Sequence, residues 1–216
     1  RSRDRAKRDA AAAKAQSAYE TAANAFLALD AKTREVTGAV QSLTSVTSAE
    51  DDAPMLAAHQ TALAAADAAS GRWIAAEEPW SPTHLATLTA VQSDAARGQF
   101  ATITRDLEAA SALLDEVDDK TEDAARAMET LPAELERVRG LVDAAKADTT
   151  TAGAAGFDVT TLAARLESAG GSLSQVATML TEHRLGTASA LLARVAADAE
   201  AASSAATSLS ALSSDC

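Results

Sequence analysis

Aromatic side chains are scarce in this 216-residue chain: three Phe, two Trp and one Tyr, 3% of the sequence. Strands are built with aromatic and β-branched residues, so a chain this poor in aromatics is a weak candidate for a β fold. A single cysteine, Cys216, stands at the last position. It excludes an intrachain disulfide and is compatible with a reducing compartment. No run of eighteen apolar residues free of charge occurs, so no membrane-crossing helix is expected within this sequence. Nor does the start read as a signal peptide. The chain begins at Arg1 with no initiator Met, which reads as a piece of something longer. P-loop, dinucleotide-binding glycine pattern, HExxH and nucleophile elbow are all missing. The expectation is therefore a non-enzyme that holds no cofactor or metal.

What the chain has in abundance is alanine, which loses no side-chain entropy in a helix. The expected fold class is all-α: an elongated antiparallel bundle of five or six long helices, coiled-coil or spectrin-like. Small side chains imply thin cores and closely spaced helices. Helix one is predicted over about residues 2–47, with Tyr19, Ala22, Phe26, Leu29, Thr33, Val36, Val40, Leu43 and Thr47 at alternating spacings of three and four, which form one stripe. Asp51 or Asp52 is a candidate cap for helix two, predicted from Pro54 to about residue 78, with Leu56, His59, Leu63, Ala66 and Trp73 on one face. Helix three is predicted to start at Ser81–Pro82, with an upstream phase of Leu85, Leu88, Val91 and Ala95 that slips at Gly98. Heptad positions a then run Phe100, Leu107, Leu114, Thr121, Met128, Leu135, Val142, and positions d run Ile103, Ala110, Val117, Ala124, Leu131, Val138, Ala145, a seam that calls for partner helices. Pro132 either kinks this helix or ends it and opens a new one. A loop is expected over 149–158. Helix five follows over about 159–184, capped by Asp158 or Thr160, and Gly170 and Gly171 inside it suggest a close helix contact or a bend. Helix six is predicted over about 187–213, with Leu191, Val195, Ala202, Leu209 and Leu212 as its stripe. Short loops make sequential helices antiparallel. The domain division is 1–18 as a basic start, 19–131 as a first bundle unit and 132–216 as a second.

Few residues suggest chemistry. His59 and His183 fall on apolar stripes, where a histidine is ordinarily a satisfied stripe-edge residue, and no histidine follows a Glu at the i−3 spacing that a di-iron bundle needs. The acidic run "LLDEVDDKTED" at 113–123 reads as a solvated helix face. Trp73 and Trp80 flank the second turn and either plug the end of the bundle or serve as partner anchors. Phe157, alone in a glycine-rich loop, raises the same question.

Charge is unevenly distributed. The net charge is −12, yet the first fourteen residues carry +4 and the remainder −16. An acidic body repels phosphate backbones, so no nucleic acid is expected as a partner. Arg1, Arg3, Arg5, Lys7, Arg8 and Lys14 admit a solvated helical end, or a juxtamembrane segment that rests on an anionic membrane surface. A basic start followed by an Ala/Leu-rich helical region containing "LPAELERVRGLVDAA" (131–145) and "LGTASALLARVAADAEAA" (185–202) resembles the C-terminal part of actinobacterial TPM-domain membrane proteins. That family places a long coiled-coil region on the cytoplasmic side of a membrane span and includes a corynebacterial receptor for a gephyrin-like protein of the cell-division machinery. The resemblance implies a scaffold at the cytoplasmic face of the membrane, with a gephyrin-like cytosolic protein as its partner. It carries over no functional residue. The alternative from another class is a sensory helical bundle that binds a small ligand between helices, with a polar-lined cavity near Gly170–Gly171. Self-association stays open, since such seams close either within one chain or between chains.

Overall fold

A computed structural model describes residues 2–214, with side-chain surroundings through Leu212. Arg1 and Cys216, both singled out above, lie outside the described residues. The fold is all-α: α1 (Ser2–Thr44), α2 (Ala49–Glu77), the single-turn α3 (Pro82–Leu85), α4 (Ala90–Ala154), α5 (Thr160–Thr181) and α6 (Leu185–Ser214), with no strand among the described residues.

The chain forms two compact units. One comprises Arg1–Ser42 and Pro54–Thr121, the other Leu43–Ala53 and Glu122–Cys216. The division expected from the sequence, 19–131 and 132–216, places the boundary ten residues later in the chain. Of the two outcomes open at Pro132, continuation holds: it lies inside α4. Proline removes one helical hydrogen bond, but Leu131, Leu135 and Val138 on either side of it are buried, and that apolar packing holds the helix together.

In the first unit, Tyr19 pairs with Glu77 and Thr37 with His59, so α1 and α2 run antiparallel. Lys32 pairs with Asp115, and Tyr19 stacks on Phe100, so α1 and the first half of α4 run in the same direction. The predicted stripe of α1 holds, with Ala22, Leu29, Val36, Val40 and Leu43 buried. On α2 the stripe is more alanine-rich than expected: Met55, His59, Ala62, Ala66, Ala69, Trp73 and Ala76 are buried. The helix also starts earlier than expected, at Ala49. Neither Asp51 nor Asp52 is its cap; Ser48 Oγ accepts from the Asp51 N–H at 3.4 Å, and Thr47 donates to Asp52 at 2.6 Å.

The start of α4 is a larger correction. Helix three does not run on from Pro82. Thr89 and Gln92 form a reciprocal capping box: the Gln92 N–H donates to Thr89 Oγ1 at 3.3 Å, and the Thr89 N–H donates to Gln92 Oε1 at 3.0 Å. This box satisfies two amide donors at a helix start and resets the phase. Ser93 and Ala96 are buried, Val91 is 80% exposed and Ala95 is exposed. From Phe100 onward the heptad seam is as read, with only Ala124 and Met128 less than fully buried.

The seam also continues past Ala145. Thr149 and Ala152 are buried, so 149–154 is helix where a loop was expected. Thr150 and Thr151 return their hydroxyls to the Lys146 and Ala147 carbonyls at 2.8 and 3.0 Å, which removes their competition with the backbone. The helix ends at Gly156, with φ +92°. Gly156 N–H donates to the Gly153 carbonyl and Phe157 N–H to the Ala152 carbonyl, the paired bonds of a Schellman stop.

The second unit packs the rest of α4 against α5 and α6. Val138, Val142, Leu166, Ala169, Leu173, Val176, Leu192, Val195, Ala199 and Ala202 form much of its core. On α6 the inward residue is Leu192 rather than Leu191, which is only partly buried, and Leu212 is 60% exposed.

Candidate functional site

The histidines are placed by different physics. His59 is 7% exposed, and its Nε2 lies 3.1 Å from Thr37 Oγ1, a satisfied ring inside the first unit. Burial lowers its pKa. The unfolded chain therefore binds this proton more readily than the folded one, so the stabilisation is complete above the ordinary imidazole value near 6.5 and declines as pH falls below it. Urea midpoints measured across this range should fall more steeply in the wild type than in His59→Gln. Parallel curves would show that His59 is not the group responsible.

His183, expected at a stripe edge, is exposed, with φ +57°. It ends α5 in a Schellman arrangement: its N–H donates to Leu180 O at 3.2 Å, and the Arg184 N–H donates to Met179 O at 2.9 Å. Its own carbonyl accepts from the Ser48 N–H at 3.2 Å. Beside it the Gly186 N–H donates to Asp51 Oδ2 at 3.2 Å, and Arg184 faces Glu50 at 3.5 Å. In the second unit these contacts join the α1–α2 turn to the α5–α6 turn, which accounts for the left-handed His183.

No group of three or more His, Cys, Asp or Glu that could hold a metal lies among the described residues. In the acidic run, Asp115 pairs with Lys32 and Asp123 with Arg126.

Trp73, a candidate partner anchor, is 3% exposed. It sits in an aromatic cluster of the first unit, with ring centroids 5.2 Å from Tyr19, 6.0 Å from Phe26 and 6.2 Å from Phe100, so it is core and not a docking residue. Tyr19 is partly buried, and its pKa is raised, first by that burial and then by the Glu77 carboxylate. Trp80 is half-buried, donates its indole N–H to Gln99 at 2.9 Å and meets His84 edge-on at 6.2 Å. Phe157 follows the left-handed Gly156 and is half-buried, at the position where a Schellman stop commonly places an apolar residue. All three aromatics thus have structural reasons for their positions.

The basic start is helical, and residues 2–10 are exposed; the first buried side chain of α1 is Ala15. Arg5 and Arg8 both lie near Asp9, at 3.9 and 3.6 Å. Arg3, Lys7 and Lys14 have no acidic partner among the described residues. At 3.6 residues per turn these three fall within about 40° of one another around the helix, with Asp4 about 80° and Asp9 about 140° from the middle of that stripe.

A cavity of about 640 Å³ opens between α4 and α5 in the second unit, lined by Lys146, Thr149, Thr150, Ala163, Leu166, Glu167 and Gly170. Thr149 is 4% exposed and its Oγ1 has no hydrogen-bond partner, unlike the neighbouring Thr150 and Thr151. A buried hydroxyl without a partner is costly and uncommon. The other such hydroxyl among the described residues, Ser93 Oγ, lies in the first unit. Sequence reading missed Thr149 by ending the helix too early. The signal was present: continuing the heptad from Val142 and Ala145 puts Thr149 at the next a position.

No protein-family model, curated protein or solved structure matches this chain. The class defined by the fold is an all-α helical-bundle protein.

Proposed function

We propose that the chain is a non-enzymatic interaction module at the cytoplasmic face of a membrane. In this reading the first turns of α1 lie against anionic lipid while the bundle recruits a cytosolic partner, gephyrin-like by the resemblance noted above. The observation that carries it is the stripe of Arg3, Lys7 and Lys14, exposed and without acidic partners, on a helix whose core packing begins only at Ala15. A solvated helix end needs no such alignment, whereas an anionic surface attracts one face of a helix, with about 1 kcal/mol per basic residue near it.

Co-sedimentation with phosphatidylglycerol vesicles tests this directly. The wild type should bind them, release them at high salt and ignore phosphatidylcholine vesicles. The Arg3→Gln/Lys7→Gln/Lys14→Gln variant should lose about 3 kcal/mol, roughly a hundredfold in affinity. Equal binding to neutral vesicles, or a variant that binds as well as the wild type, would remove the membrane reading.

A further inference from the structure

The groove between α4 and α5 carries charge that the fold leaves unused. Lys146, Thr149 and Thr150 recur at three- and four-residue spacing on one face of α4, and Ala163, Leu166, Glu167 and Gly170 do the same on α5. Neither Lys146 nor Glu167 has an ion-pair partner among the described residues. A Cβ added at Gly170 would stand 3.6 Å from Lys146 Nζ, so the lysine reaches across the groove to the bare backbone of α5. Contrary to the expected close helix contact, no other atom of a neighbouring element comes within 4 Å of that Cβ position, and none does at Gly171. A space of about 640 Å³ is in the range that holds a small metabolite.

The lining selects by charge. A purely anionic ligand would find Lys146 but also Glu167, in a chain of net charge −12. A purely cationic one would meet Lys146. A molecule with both charges satisfies both side chains, and buried Leu166 beside Ala163 leaves an apolar wall for a short side chain. We infer that the α4–α5 groove is a binding site for a small zwitterion of the α-amino acid class. Lys146 takes the carboxylate and Glu167 takes the ammonium. This goes beyond the membrane reading and does not depend on it.

The test is nitrogen-15 amide spectroscopy on the full chain, titrated with L-leucine, L-serine, sodium acetate and n-butylamine. At least one amino acid should shift the Thr149, Glu167 and Gly170 amides saturably, with acetate and butylamine leaving them in place. Lys146→Met and Glu167→Gln, both at exposed positions, should each weaken binding about tenfold, the scale of a hydrogen bond to a charged group, with unchanged helicity by circular dichroism. The inference is overturned if neither amino acid gives saturable shifts at these amides, if acetate or butylamine alone gives the same shifts, or if both charge variants bind as the wild type does.

Discussion

Phe100→Ala should cost about 3–5 kcal/mol of unfolding free energy, the range for truncating a buried aromatic. Phe100 is 0% exposed. It meets Tyr19 edge-on at 5.4 Å and Trp73 at 6.2 Å, in the cluster that gathers four of the six aromatic residues in the chain. The size of the effect follows from composition. Much of the remaining core of that unit is alanine, including Ala22, Ala62, Ala66, Ala69 and Ala96, and alanine has no rotamer with which to fill a void. The cavity should stay open, and the loss of dispersion contacts should add to the loss of apolar burial. Urea denaturation followed by circular dichroism is the measurement. Val91→Ala, at a side chain 80% exposed, is the control and should change stability by less than about 0.5 kcal/mol. A Phe100→Ala loss no larger than the control would mean that the aromatic cluster does not organise this unit.

Replacing Gly38, Gly71, Gly98, Gly140 and Gly171 together by alanine should raise stability by about 4–5 kcal/mol, at nearly 1 kcal/mol for each interior helical glycine. All five lie inside helices, are exposed, and have nothing within 4 Å of the position a Cβ would take. No close packing therefore opposes the gain in chain entropy, and sites this well separated should add. The melting temperature should rise by roughly 10–20 °C for a chain of this size. Two glycines mark the limit of the argument. Gly156 has φ +92°, where a Cβ is strained. At Gly186 an added Cβ would approach Asp51 Oδ1 at 3.3 Å, next to the hydrogen bond between Asp51 and the Gly186 amide. Alanine at either position should not stabilise. A five-fold variant that gains less than about 1 kcal/mol would indicate that these glycines are held by contacts this fold does not contain.

Helix type and most of the inward faces were legible from period and composition, because a stripe at 3.6-residue spacing survives whatever it packs against. The α1 stripe and the α4 heptad seam are of this kind. Errors collected at the ends of helices, where local hydrogen bonds compete. The Thr89–Gln92 capping box stands in the sequence as Thr-x-x-Gln, within a run whose apolar spacing at Leu85, Leu88 and Val91 reads as continuous helix. Pro132 and the Thr149–Thr151 run look like breaks, yet apolar contacts from the second unit keep α4 intact through both. Trp73 and Trp80 show the same division: spacing placed them by the second turn, but only the packed neighbours decided that one is core and the other is tied to Gln99.

Two features underlie the proposed roles, and they differ in where they come from. The cationic stripe of Arg3, Lys7 and Lys14 follows from sequence and helical geometry alone, since a helix without neighbours displays whatever its period dictates. The α4–α5 groove does not. Lys146 and Glu167 are ordinary surface charges along the chain, and Thr149 is one polar residue in a threonine run. Their convergence around one cavity, and the hydroxyl left without a partner there, came from packing α5 against α4, because only tertiary contact removes water from a side chain and sets which groups must face one another.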